Sequence, residues 1–339
     1  MLNIIYIGNK LYKQKVIMSV METLIEQFES FAQVTSASDK KSIVGKVADI
    51  TTTLLQHLRK ADYVLIDVFS TKAFYFALWA SLLSRLFNRK YILNLHGGNL
   101  PNRYSCSKWM FDYMLRHAHT ITAPSKYLAD YFTKAGYPTE LIPNPIHIKD
   151  YPAAQAQLAV PSILYLRGYG KIYQPQLVIE AMKYLVETYP TAHVYMFGND
   201  LDGGMKKCIS LVEAYGLQKN VTIHGPTPKS IWIETAKNCN VCISVPSIDN
   251  TPVSVLEAMA MGLPVITTNV GGIKWMIDDR QNGLLADTNP KAIANKIAQL
   301  FQDKQLYQHI QQHATTYVAT YDVQVVKQQW KKLLVENRK

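Results

Sequence analysis

Short β-branched runs alternate along this chain with longer stretches whose apolar residues recur at helical spacing. That alternation predicts parallel α/β units. In the first half the strand candidates are NIIYIG, DYVLIDV, KYILNLHG and TITAPS. Helices are predicted around Val16–Phe31, Ile43–Arg59, Phe74–Phe87 and Ser107–His117. In the second half SILYLRG, AHVYMFG, NVTIHG, VCISVPS and PVITT alternate with helices near Pro175–Tyr189, Gly204–Tyr215, Lys229–Asn238 and Val253–Met261. The seam between the halves, Ile142–Pro161, is Pro-rich and weakly patterned, as a linker is expected to be. The predicted fold class is therefore α/β, with two doubly wound domains facing each other across a cleft.

Ligands of open parallel sheets bind beyond the carboxyl ends of the strands, in the loops that enter helices. That rule predicts sites at Gly8, at His96–Gly98, at Arg167–Lys171, at Gly198, at Gly225 and in the loop Ser247–Ser254. The last of these belongs to PSIDNTPVSVLEAMAMGLPVITTNVGG, Pro246 to Gly272. Asp249 and Asn250 are turn formers, Thr251 is the expected helix cap, and Pro252 suits the first helical turn. Gly262 and Pro264 end the helix before the strand VITT. A helix start aims free N–H groups and a positive dipole end at a ligand, which favours phosphate. Glu257 shares its helix face with Val253 and Met261. A carboxylate among apolar neighbours needs donors, and a ribose diol supplies two. Taken singly, Asp249 reads as a turn former and Glu257 as a solvated helix charge; together in this context they read as a site.

Composition narrows the picture in part. Apolar residues make up 48% and charged residues 18%, so each half can bury a core. The opening MLNIIYIGNK is too short in apolar length for a signal sequence and reads as a strand. The run Ala73–Leu83 falls short of the ~20 residues that span a bilayer. The expectation is a soluble, cytoplasmic protein. The formal charge is +11, with an excess of +7 in residues 1–150 and +4 in 151–339. Phosphate-bearing substrates and anionic lipid fit that balance; no nucleic-acid motif accompanies it. Cys239 and Cys242 have CxxC spacing, yet no second pair completes a zinc site, so packing is expected.

The stretch EAMAMGLPVI followed by GG, with Asp249 and Glu257 at E-x7-E spacing, resembles the motif of retaining GT-B-fold glycosyltransferases of family 4, the glycosyl transferases group 1. The trailing NGLL, the segment SKYLADYFTKAGYPTELIPNPI and the NLHGG loop extend the resemblance more weakly over nearly the whole chain. It implies an N-terminal Rossmann-like acceptor domain over 1–150 and a donor domain over 151–320. Residues 321–339, with the helix Val323–Leu334, would return to the first domain. Implied roles are Glu257 on the donor ribose, Asp249 beside the transferred sugar, and backbone N–H groups of Thr251, Val253 and Ser254 on the diphosphate. Arg167 and Lys171 would clamp that diphosphate, their spacing one residue shorter than the common form. His96 would contact the donor sugar, with Gly97 and Gly98 permitting close approach. The family's Gly-Gly turn is Gly8-Asn9 here, and Asp249 replaces the usual Glu. Lys10, Lys13 and Lys15 nearby are candidates for an anionic acceptor.

The implied reaction moves a sugar from a nucleotide diphosphate sugar, UDP- or GDP-linked, to a hydroxyl with retention, in cell-surface polysaccharide or glycoconjugate assembly. No cofactor is expected, and Asp200-Leu-Asp202 is read as a loop coincidence with no metal. The acceptor class is a sugar or a lipid-linked sugar. Lys72, Arg85, Arg89 and Lys90 bracket Phe74–Phe87, and Trp109, Met110 and Phe111 adjoin Lys108, which points to peripheral contact with an anionic membrane. A crossover helix buried against its sheet is the alternative reading of Phe74–Phe87. Alternatives for the whole chain are a sugar-nucleotide-binding scaffold, or an epimerase or phosphorylase on the same fold.

Overall fold

The computed structural model describes residues 1–8, 20–37, 40, 42–155, 158–200 and 202–336. Lys10, Lys13, Lys15 and the start of the predicted helix Val16–Phe31 lie outside them.

The chain forms two compact units, Met1–Pro145 with Val323–Lys339, and Ile146–Asp322. The first contains β1 (Leu2–Ile7), α1 (Val20–Phe28), β2 (Ala32–Ala37), α2 (Ile43–His57), β3 (Tyr63–Val68), α3 (Phe74–Leu86) and β4 (Tyr91–Leu95). It continues with α4 (Leu100–Cys106), α5 (Lys108–His117), β5 (Thr120–Ala123), α6 (Lys126–Lys134) and β6 (Glu140–Leu141). The second unit contains β7 (Ser162–Leu166), α7 (Pro175–Thr188), β8 (His193–Phe197), α8 (Gly204–Ala214), β9 (Val221–His224), α9 (Lys229–Ala236) and β10 (Val241–Ser244). It ends with α10 (Val253–Ala260), β11 (Val265–Thr268), β12 (Leu284–Ala286), α11 (Pro290–Gln302) and α12 (Lys304–Ala319). Helix α13 (Val323–Val335) then belongs to the first unit.

Each sheet has six parallel strands among the described residues, ordered β2-β1-β3-β4-β5-β6 and β12-β11-β10-β7-β8-β9. The order reverses between β1 and β3 in one sheet and between β7 and β10 in the other. These are the switch points where such sheets bind ligands. Period-2 alternation decides which side chains face which helices. In the first sheet Ile5, Ile7, Val64, Ile66, Leu93 and Leu95 join the core with α2, α3 and α5. Leu2, Ile4, Tyr6, Tyr63, Leu65 and Ile92 join the other, with α1 and α13. Trp330 of α13 is fully buried there and meets Phe28 edge-on at 5.6 Å. Removing such a ring costs about 3–5 kcal/mol, so the terminal helix is part of this unit's core. In the second sheet the two faces are covered by α7 and α11 on one side and by α9 and α10 on the other.

The linker expectation needs correction. Ile142 is buried in the first unit, but Ile146 and Tyr151 are buried in the second unit's core. Ala154 and Gln155 donate N–H groups to Met261 O (2.8 Å) and Lys237 O (2.9 Å). Apolar side chains at irregular intervals anchor this segment without secondary-structure periodicity. Strand β2, helix α6, strand β12 and helices α11 and α12 were absent from the predicted elements. Strand β2 is a half-exposed edge with a polar middle, AQVTSA, so alternation does not reveal it.

Candidate active site

In the second unit, β7 and β10 part at the switch point, and each sends a charged residue into the gap. Arg167 follows β7 and Asp249 lies in the loop after β10. The Arg167 Nη2 donates to Asp249 Oδ2, and both side chains are largely buried. The guanidinium also lies over the Tyr173 ring, 4.2 Å from its centre. Its Nε is buried with no hydrogen-bond partner. Burial raises the Asp249 pKa, with the Arg167 charge pulling it back down.

Lys171 stands exposed on a 3-10 turn, Lys171–Tyr173, whose first N–H donates to Asp202 Oδ2 at 2.9 Å. Ser247 ties that turn to the Asp249 loop, donating its N–H (2.7 Å) and Oγ (3.1 Å) to Ile172 O. Asp200 accepts the Met205 N–H at 3.4 Å. The Asp-x-Asp pair therefore holds backbone at the start of α8 and at the lysine turn.

The Thr251 cap is corrected by the structure. Pro252, at φ −66° and ψ 118°, occupies the N-cap position of α10, and no side chain caps the helix. Proline has no side-chain oxygen, so only its backbone carbonyl is available as an acceptor for the first turn. The N–H groups of Val255 and Leu256 bond to Pro252 O. Those of Thr251, Val253 and Ser254 have no partner among the described residues. The buried Ser254 Oγ is unpartnered as well.

Glu257 sits one turn inside α10. Its Oε1 accepts the Tyr151 hydroxyl at 2.6 Å, and its Oε2 has no partner among the described residues. Burial raises the Glu257 pKa, opposed by the Tyr151 hydrogen bond and by the Lys229 and Arg167 charges. Lys229 lies 4.0 Å from the Tyr151 ring centre, and Trp232 packs 6.2 Å away. Tyr151 and Tyr173 are site residues that sequence reasoning missed: the first lies in the segment read as linker, the second in a turn with no distinguishing pattern.

The paired glycines after β11 form the floor of this loop. A Cβ on Gly271 would lie 2.1 Å from Asp249 O, and one on Gly272 2.3 Å from Asn250 O. The Gly272 N–H also donates to Asp249 O at 2.9 Å. Gly198 packs against backbone too, since its Cβ would lie 2.0 Å from Arg167 O. Gly225 is different: at the end of β9 its nearest prospective neighbour is Met205 Cε at 3.7 Å, which leaves open approach.

The first unit has its own cluster at its switch point. His96 follows β4, and its Nε2 lies 3.0 Å from Asp67 Oδ1 and 2.7 Å from Asn94 Nδ2. Asp67 Oδ1 also accepts the Tyr6 hydroxyl at 3.1 Å and Asn94 Nδ2 at 3.3 Å. Asp67 and Asn94 are cross-strand partners in the β3–β4 register. All four side chains are buried. Burial and the Asp67 charge raise the Tyr6 pKa, so Tyr6 stays a donor. With a proton on Nε2, His96 donates to Asp67, and its Nδ1 has no partner among the described residues. The Phe69 ring stacks on the imidazole at 5.3 Å. Gly97 adopts φ +100°, which favours glycine. A Cβ on Gly8 would lie 2.5 Å from Asp67 Oδ2. Gly8, Asp67 and Phe69 line one small cavity with Ala73 and Phe76. The sequence reading named His96 and Gly8 but missed Asp67, Tyr6 and Asn94. The signal was an acid within the otherwise apolar run YVLIDV.

Cys239 and Cys242 are buried free thiols, and burial pushes Cys239 up to about 12. Among the described residues they pack the β10 region without a disulfide.

Two doubly wound units, one with an uncapped helix start beside an arginine and two partly buried carboxylates, define the class of two-domain Rossmann-like proteins. Family comparison is specific: "Glycosyl transferases group 1" matches residues 155–317 and "Glycosyltransferase Family 4" matches residues 42–150. The chain belongs to this glycosyltransferase family. It is 27% identical over 179 residues to D-inositol 3-phosphate glycosyltransferase of Corynebacterium urealyticum, covering 48% of this chain and 42% of that protein. It is 30% identical over 112 residues to N,N'-diacetylbacillosaminyl-diphospho-undecaprenol alpha-1,3-N-acetylgalactosaminyltransferase of Campylobacter jejuni, covering 33% of this chain and 30% of that protein. The chain thus spans less than half the length of these curated relatives. In fold it matches Anabaena HepE, solved with UDP, at a TM-score of 0.77 and 18% identity, over 99% of this chain and 100% of that one. Sucrose-phosphate synthase from Thermosynechococcus elongatus matches at a TM-score of 0.77 and 14% identity, over 99% of both chains.

Proposed function

We propose that the chain is a retaining, metal-independent glycosyltransferase that moves a sugar from a nucleotide diphosphate sugar to a hydroxyl of a sugar or lipid-linked sugar. The observation that carries this reading is the second switch point. Arg167 Nε, Ser254 Oγ and the N–H groups of Val253 and Ser254 are donors without acceptors, grouped at one helix start. A diphosphate supplies the acceptors they lack. Glu257 Oε2, with Oε1 held by Tyr151, takes the ribose hydroxyls. The structure of HepE with UDP supports a UDP-linked donor, and the name of the second curated relative supports a lipid-linked acceptor.

In this reading the anomeric C–O bond to the diphosphate breaks, and the acceptor oxygen bonds to the same face of the sugar. The acceptor's proton passes to the departing phosphate oxygen. Charge gathers on the nucleoside diphosphate as it leaves. Arg167, Lys171 and the α10 dipole stabilise that charge most in the transition state, where it is largest. Asp249 lies beside the sugar, its charge balanced by Arg167 until the diphosphate competes for the guanidinium. In the first unit His96, oriented by Asp67, offers its Nδ1 as a hydrogen-bonding group for a sugar.

Thermal unfolding with UDP, GDP, ADP and CDP tests the donor site. One nucleotide at ~100 times its Kd stabilises wild type by ~2.7 kcal/mol, and that gain disappears in Glu257→Ala. No shift with any nucleotide, in a folded protein, defeats the reading.

A further inference from the structure

From Val68 to Phe111 the chain carries six Lys and Arg residues and no Asp or Glu. This stretch builds α3 and α5, which lie side by side on the first sheet: Arg85 sits 5.0 Å from the Tyr113 ring centre. The inward face of α3 buries Phe74, Ala77, Ala80 and Leu83 as a crossover helix should. Its outward face is apolar too. Tyr75, Trp79, Leu82 and Leu86 follow one another at helical spacing and are 49%, 38%, 37% and 76% exposed. A surface helix ordinarily carries polar residues there, so an apolar stripe of this length marks an interaction face.

The stripe has neighbours on both sides. Trp79 Nε1 donates to Thr51 Oγ1 of α2 at 2.9 Å, and Val47 and Leu55, one turn to either side of Thr51, are exposed. On α5, Trp109 is 74% exposed. Cations frame the stripe at both ends, with Lys72 before α3 and Arg85, Arg89 and Lys90 at and after its last turn. Lys108 is balanced by Asp112 at 2.9 Å and adds little.

We propose that this face docks on an anionic lipid bilayer. The aromatic and aliphatic side chains enter the boundary between headgroups and acyl chains, and Lys72, Arg85, Arg89 and Lys90 meet lipid phosphates. Charge selects this occupant over a second copy of the chain. A two-fold pair would set the same four cations against themselves, whereas an anionic surface complements them. The inference is independent of the donor site and is read without any sugar nucleotide.

The test is sedimentation of the full chain with phosphatidylglycerol/phosphatidylcholine vesicles and with phosphatidylcholine vesicles alone. Binding is expected to the first, weakly or not to the second, and to fall at ~1 M salt, where the screening length is ~3 Å. Each cation removed should lower partitioning about fivefold, so Arg85→Glu with Arg89→Glu and Lys90→Glu should abolish it. Trp79→Glu with Leu82→Glu should abolish it too; circular dichroism and the cooperativity of thermal unfolding report whether either variant remains folded. Absence of binding by folded wild type overturns the proposal. So does unchanged binding by both variants, or a dimer that the Trp79→Glu and Leu82→Glu pair splits while vesicles leave it intact.

Discussion

At the first sheet's switch point one carboxylate, Asp67, collects the Tyr6 hydroxyl, the Asn94 amide and the His96 ring. At the second, Arg167 and Asp249 satisfy each other only in part. Beside them stand an arginine Nε, a serine Oγ and two helix N–H groups with no acceptor among the described residues. Buried polar groups are ordinarily paired, and each unpaired one costs ~1–3 kcal/mol. The first site is therefore complete in its own side chains and presents a fixed imidazole. The second holds unmet donors, which in the proposed reading an anionic ligand fulfils. In that reading the first site orients and the second binds charge.

The most damaging way to probe this contrast is Arg167→Ala. Loss of a donor aimed at the leaving diphosphate should lower kcat by about 10²–10³, measured as initial rates of donor consumption. It also strands a buried Asp249, so thermal stability should fall together with rate. A variant with full activity would show that the second site does not work through its cation.

Glu257→Gln keeps the shape but removes the charge that strengthens hydroxyl donation. A hydrogen bond to a charged group contributes about 1.5–3 kcal/mol, so nucleotide Kd should rise roughly 10- to 100-fold by calorimetry. Tyr151→Phe, which deletes only the 2.6 Å bond to Oε1, should raise it by far less.

Asp67→Asn tests the first site. Replacing an acceptor-only carboxylate releases the preference for a proton on His96 Nε2. The expected loss in kcat is about tenfold, for an orienting bond of ~1.4 kcal/mol, with nucleotide Kd unchanged and the pH–rate profile displaced. An equal loss of nucleotide affinity would erase the division of labour between the two sites.

The smallest effect is one of pH. Burial raises both Asp249 and Glu257 above their ordinary values of 3.8 and 4.5. Between the ordinary and the raised value the folded protein binds more protons than the unfolded chain. These two groups therefore make the ligand-free protein gain stability as pH falls through that window. Nucleotide affinity should move the other way, weakening as Glu257 protonates with a midpoint above 4.5. Calorimetric titrations across pH 4–7, paired with thermal unfolding, would reveal the opposite signs.

Much of this was legible in one dimension. Periodicity located α2, α3, α7 and α10 to within a residue or two, because each buries one face against a parallel sheet. The segment from Pro246 to Gly272 also disclosed its helix start, its carboxylates and its glycine pair. The glycine pair's structural part was not legible: Gly271 and Gly272 lie under the carbonyls of Asp249 and Asn250, a contact across more than twenty residues of chain. Tyr151 is 106 positions from its partner Glu257, and Asp67 is 29 from His96. No local pattern encodes such pairs.

What the sequence determined by itself was the set of elements and the types of reactive group at their carboxyl ends, since propensity and periodicity act over a few neighbouring residues. The tertiary structure alone decided which groups pair with one another and which are left wanting a partner. That outcome depends on strand order: β10 lies beside β7, and β3 beside β1, so the sheets bring distant loops within hydrogen-bond reach.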